Sequence, residues 1–202
     1  MILQPTYFSP IIHYIALVNS NQVIFEIEDN YKKQTFRTRC YIYGANGKQL
    51  LTIPVLHPIQ NRKTKDIQID YSFNWQKQHL KSIQIAYRSS PFFEFYEDDL
   101  RTLFSQQPKY LLDYNFQIHK VITELLQLEI PFLKTKEYTI NTTHLDLRNL
   151  ADAKSKKKYH LTTYFQIFSD KYGFIENLSI LDLLFMEGTN ALNYLENQQI
   201  QF

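Results

Sequence analysis

Apolar and polar residues change their spacing midway along the chain, and that change predicts the architecture. Before about residue 70 the pattern is short-range. Ile2-Leu3 reads as a very short strand, and Val23-Ile24-Phe25-Glu26-Ile27 as a strong one. From Tyr31 to Val55 apolar and polar positions alternate on either side of Gly44-Ala45-Asn46-Gly47. That is the pattern of a β-hairpin, with Asn46-Gly47 as the pair that tolerates positive φ. In its first strand, period two puts Phe36, Cys40 and Ile42 on a core face. Thr35, Arg37, Arg39, Tyr41 and Tyr43 then fall on the other face. The hairpin's return strand ends at Ile53-Pro54-Val55, a polar loop Gln60 to Lys65 follows as a solvated connection, and Ile67-Gln68-Ile69 predicts one more short strand.

Between the first two strands lies Gln4-Pro5-Thr6-Tyr7-Phe8-Ser9-Pro10, an extended loop bracketed by prolines. A helix is expected from there to about Asn19, with Ser9 as N-cap and Pro10 in the first helical position. Strand, loop, helix, strand is a βα unit whose loop sits at the carboxyl end of the first strand, where α/β sheets hold ligands. Gln4, Tyr7 and His13 are therefore candidates, with local packing or capping as the competing role.

Beyond residue 70 the spacing becomes helical. Leu80, Ile83, Ala86 and Tyr87 mark a helix from Trp75 to Ser89, in which Trp75 and His79 share a face. A second helix starts near Pro91, with Glu94, Glu97, Asp98 and Asp99 in its first half, where acids suit the helix dipole. The longest runs from Pro108 to about Leu128. Residues 132 to 160 are polar, with a mobile loop expected at Lys154 to Lys158, and Tyr159 to Gly173 is irregular or helical. Ser179 and Asp182 match a capping box before Leu183-Leu184-Phe185, Gly188 ends that helix, and Thr189 caps a last one. The fold class is thus α/β or α+β: an N-terminal mixed sheet of about four or five strands including the hairpin, then a mainly helical C-terminal half.

Composition narrows the chemistry. The 202 residues are 44% hydrophobic, enough for a substantial core, and suggest one domain over 1–202. Four glycines and no Gly-rich fingerprint argue against a phosphate loop, and no cofactor is expected. A net charge of +2 gives no bulk drive towards nucleic acid; aromatic residues interleaved with Lys and Arg from Tyr31 to Tyr43 are what would speak for single strands. One cysteine, no signal-like N-terminus and no long apolar run lead to the expectation of a cytoplasmic protein without a membrane span.

No complete catalytic constellation is visible. The histidines are scattered, His144-x-Asp146 is a weak pair, and no metal site is expected. No G-x-S-x-G elbow is present, and Cys40 falls on the core face as a buried thiol. His79 is the candidate general base, set against a packing role at a helix start. Arg37 and Arg39, about 7 Å apart on one strand face, would span a diphosphate or clamp a carboxylate. The alternative is ion pairing with Glu26 or Glu28.

Four blocks carry a family resemblance. They are Gln4-Pro5-x-Tyr7-Phe8-x-Pro10; Lys33-x-x-x-Arg37-x-Arg39 through Leu51-Thr52-Ile53-Pro54-Val55; Trp75-x-x-x-His79 through Pro91-Phe92-Phe93; and Gly173-Phe174 through Asn177-Leu178-Ser179-Ile180-Leu181-Asp182-Leu183-Leu184-Phe185. In these the chain resembles the WbqC-like family of bacterial O-antigen and polysaccharide gene clusters. Leu3 stands where many relatives have His, and Thr38 where many have Asn, so no role attached to those residues transfers here. The resemblance implies a transferase that modifies a sugar or sugar nucleotide, with glycine (aminoacyl) transfer as one conjecture. Gln4, Tyr7, Arg37, Arg39 and Trp75 would bind substrate, and His79 would act as base. The alternative is a non-catalytic protein that binds an anionic ligand or a partner in the same pathway.

Overall fold

The computed structural model describes residues 1–56, 62–140 and 142–202. Strands β1 (Ile2–Leu3) and β2 (Val23–Phe25) pair in parallel, Ile2 opposite Ile24, with helix α1 (Ile11–Val18) as the crossover. The expected βα unit is therefore present. Helix α1 is buried from Ile11 to Leu17, as a helix apolar all round must be. It starts one residue later than expected, and the Ser9 hydroxyl bonds to Thr6 (2.6 Å) instead of capping it.

The third strand of this parallel sheet comes from far along the chain. Strand β5 (Phe132–Lys134) pairs with β2, giving the order β1-β2-β5. The hairpin forms a separate ladder, β3 (Arg39–Gly44) against β4 (Gly47–Thr52). Its turn uses positive φ at Gly47 alone (91°). The hairpin is shorter than its alternation suggested. Phe36, Arg37 and Thr38 form a turn before β3, in which the Thr38 N–H donates to the Thr35 carbonyl (3.3 Å). Ile67 to Ile69 makes only isolated bridges, from Ile69 to Val55 and from Gln68 to Tyr110. Of the connecting loop, residues 57–61 lie outside the described residues.

Helices α2 (Trp75–Tyr87), α3 (Phe93–Ser105) and α4 (Leu111–Leu125) follow, then short α5 (Ser169–Tyr172), α6 (Ile180–Glu187) and α7 (Ala191–Glu196). Asn74 caps α2 by accepting the Lys77 N–H (3.1 Å). Ser179 caps α6 as expected. Asp182 does not complete a capping box. Its carboxylate is fully buried and accepts from Tyr87 Oη (2.7 Å), Tyr164 Oη (2.5 Å) and Gln166 Nε2 (2.8 Å). The Tyr87 hydroxyl in turn accepts the Tyr43 N–H (2.9 Å), so this one carboxylate ties α2, α6, the hairpin and the 164–166 segment together. Thr189 does not cap α7; it lies in a single 3-10 turn, Gly188–Asn190.

Candidate functional site

All three parallel strands end at one place. Gln4 follows β1, Glu28 and Asp29 follow β2, and Tyr138 lies just beyond β5. Together with the 146–152 segment, bridged to β1 at Ile2–Asp146, they line a cleft of about 890 Å³. This is where a parallel sheet leaves unpaired backbone and diverging loops. Hydrogen bonds lock the loops to one another. The Tyr7 N–H donates to the Phe36 carbonyl (2.8 Å) and the Phe36 N–H to the Ala151 carbonyl (2.8 Å). From α4, Asn115 Nδ2 reaches the Arg37 carbonyl (3.0 Å).

At the floor of the cleft is a buried ion pair, Arg37 with Asp29. Asp29 also accepts from Gln4 Nε2 (2.7 Å) and Thr64 Oγ1 (2.7 Å). Arg37 is 1% exposed, and burial holds its guanidinium below its ordinary pKa while Asp29 opposes the shift. Its Nη1 reaches Thr35 Oγ1 (3.3 Å), but its Nε has no hydrogen-bond partner among the described residues. Buried polar atoms are seldom left that way.

The walls are charged on both sides. Glu28 accepts from Lys63 and Lys65 (2.6 Å each), and these hydrogen bonds hold its carboxyl below the usual range. Arg148 forks onto Asp146 (Nε to Oδ1 2.9 Å, Nη2 to Oδ2 2.6 Å) and lies 3.4 Å from buried Glu26. That fork lowers the Asp146 pKa and raises that of Arg148. Lys32 and Lys33 have no ion-pair partner among the described residues. Five cations and four acids line the cleft, a balance that suits a small polar ligand with one anionic group better than a polyanion.

The residues expected to form one site divide into three groups. Gln4 and Arg37 belong to the cleft. Arg39 lines a separate hollow of about 280 Å³ with Tyr31, Thr52 and Pro54, and Lys33 is the residue shared with the cleft. The paired-guanidinium reading fails because Arg37 precedes β3 and turns inward, so period two does not relate it to Arg39. Its acidic partner is Asp29 rather than Glu26 or Glu28.

Tyr7, Trp75 and His79 form the third group, inside the core. Tyr7 Oη lies 2.8 Å from His79 Nδ1, and the Trp75 and His79 rings meet edge-on at 5.1 Å. Burial pushes His79 down to about 4, partly offset by a hydrogen bond to the Thr52 backbone, so the ring is neutral at pH 7. His13 is likewise buried near Thr6 Oγ1 (3.3 Å). Cys40 is 1% exposed, and burial raises its thiol pKa. Among the described residues no group of three or more His, Cys, Asp or Glu could hold a metal ion.

The cleft residues missed in the sequence are chiefly Asp29, Lys32, Arg148 and Asp152. The rule that singled out Gln4 after the first strand applies equally to Glu28-Asp29 after the second.

A model of the WbqC-like protein family matches residues 4–160. The chain belongs to that family. Three of the four family blocks lie within the match, including Gln4, Arg37 and the Trp75–His79 pair; the block from Gly173 lies beyond it. No curated protein and no solved structure matches the chain. Among the described residues, no helix is long and apolar enough to cross a membrane.

Proposed function

We propose that this cleft binds a sugar phosphate or nucleotide sugar, and that the protein is a cytoplasmic transferase modifying that sugar for surface polysaccharide, with an aminoacyl group such as glycine among the groups transferred. One observation carries the reading. Among the described residues, a buried guanidinium whose Nε has no hydrogen-bond partner and two lysines without an ion-pair partner line one cleft at the carboxyl ends of three parallel strands. Such a set offers donors to phosphate oxygens, while the paired acids around it offer acceptors to hydroxyl groups. The packing of His79 against Tyr7 and Trp75 in the core favours a proton acceptor from the cleft in its place.

A non-catalytic binding protein of the same pathway is the second reading. It is favoured by the ion pairing of Glu28 and Asp146, which lowers the pKa of each and blunts it as a base.

Thermal shift against uridine diphosphate sugars, amino sugars and aminoacyl donors tests the proposal. A ligand at 100 times its Kd stabilises by about 2.7 kcal/mol. With an unfolding entropy of about 0.4 kcal/mol/K for a chain this long, Tm rises by about 6 °C. The shift should vanish in the Lys32→Ala, Lys33→Ala double variant, whose exposed side chains leave the fold intact. No shift with any of these compounds would overturn it. A shift without turnover would favour the binding protein.

A further inference from the structure

The cleft does not end at its own rim. Asp146, Asn149 and Asp152 line both it and a neighbouring cavity of about 270 Å³, which is also lined by Ser155, Lys157, Tyr159 and Phe202. Asp146 is held by Arg148, but Asn149, Asp152 and Ser155 keep hydrogen-bonding capacity. The Asn149 side-chain amide makes no hydrogen bond among the described residues. Asp152 Oδ1 accepts the Lys154 N–H (2.9 Å), and Oδ2 has no donor among the described residues. Ser155 Oγ accepts from the Lys157 N–H (3.2 Å) and keeps its own proton free. Asp152 is also the one acid of the main cleft outside any ion pair among the described residues.

We propose that this second cavity is a subsite for a sugar ring, with Asp152 facing an amine or hydroxyl of that ring. The proposal rests on the cleft as the phosphate-binding compartment. An aromatic wall accepts the C–H face of a ring, and the amide, carboxylate and hydroxyl offer donors and acceptors to its edge. The cations separate the compartments. Lys32, Lys33, Arg37, Lys63 and Arg148 line the cleft, whereas the second cavity has Lys157, whose ammonium lies over the Tyr159 ring (5.3 Å). The anion therefore sits beside Lys32, Lys33 and Arg37, and the sugar ring beside Tyr159 and Phe202. In a transferase the shared border at Asp152 is where the two substrates meet.

Calorimetric titration of the full chain with two probes separates the compartments. The probes are uridine diphosphate and free glucosamine. Asp152→Asn removes a charge-assisted hydrogen bond and should weaken glucosamine about tenfold or more; Asn149→Ala should weaken it several-fold. Neither should weaken uridine diphosphate binding, which loss of the Asp152 charge at the shared border can only favour, and both residues are exposed enough for the variants to fold. Lys33→Ala should do the reverse. Glucosamine that fails to bind, or binds both variants as tightly as the parent, overturns the subsite even if uridine diphosphate binds the cleft. Uridine diphosphate that fails to bind, with glucosamine still sensitive to Asp152→Asn, overturns the cleft reading and leaves the subsite standing.

Discussion

Lowering the pH from 7 to 5 should destabilise this protein far more than its near-neutral charge suggests. His13, His79 and His119 are each pushed down to about 4, chiefly by burial. His79 packs edge-on against Trp75 at 5.1 Å, and His119 lies edge-on to Phe25 at 5.0 Å. In the unfolded chain each returns to about 6.5. The folded pKa lies below the unfolded one, so the stability is present above about 6.5 and is lost as pH falls towards 4. Between pH 7 and pH 5 the unfolded state takes up nearly one proton per histidine and the folded state almost none. Each histidine then costs about 2 kcal/mol, and the three together about 5 kcal/mol. That is a third or more of the stability of a typical domain. With a urea m-value of about 2 kcal/mol/M, the midpoint should fall by about 2.5 M. Urea titrations at pH 7 and pH 5 measure it, and His79→Gln should remove about a third of the change. A midpoint that is flat over this range, or a His79→Gln variant with the full pH dependence, would refute the account of neutral, desolvated rings.

Further outcomes follow from the same accounting. Arg37→Ala leaves Asp29 buried with two neutral donors, Gln4 and Thr64, and should cost about 3–5 kcal/mol, or about 7–12 °C in Tm. A loss under about 1 kcal/mol would show that the pair is solvated. Asp182→Ala strands three donors and should cost about 4 kcal/mol or more, measured by chemical denaturation. Burial raises the Asp182 pKa against its three hydrogen bonds. Its folded value thus lies above the unfolded one, and it weakens the fold as pH rises through that window; Asp182→Asn should remove this dependence, opposite in sign to that of the histidines. Lys32→Ala with Lys33→Ala should leave the stability in the absence of ligand within about 0.5 kcal/mol of the parent, while abolishing ligand-induced shifts. His79→Gln should leave binding in the cleft unchanged, since the ring faces Tyr7 and not the cleft.

Periodicity located the elements well because it reports burial directly. The βα unit, the hairpin turn and the three long helices all come from residues that must leave water together. Pairing between distant segments is not written in any local pattern. Phe132-Leu133-Lys134 is short and exposed along its length, and it becomes a strand only because β2 offers an edge. The polar residues show the same limit more sharply. Alternation places Arg37 and Arg39 on one face, and nothing near them says that Arg37 belongs to Asp29. A buried charge needs a partner, and that need, rather than the period of the strand, sets where the backbone turns. Tyr7 and His79 are 72 residues apart, yet one hydrogen bond commits both to the core. Polar residues in and around the family's blocks are therefore of two kinds. Some, such as His79, Tyr7 and Asp182, have their hydrogen-bonding capacity absorbed by one another, and their loss should appear as lost stability. Others, such as Lys32, Lys33, Asn149 and Asp152, keep groups without a protein partner, and their loss should appear as lost binding. Arg37 stands between the two. Its Nη2 belongs to Asp29 and its Nε to nothing among the described residues, so a ligand that engages Nε would add to a pair the fold already requires.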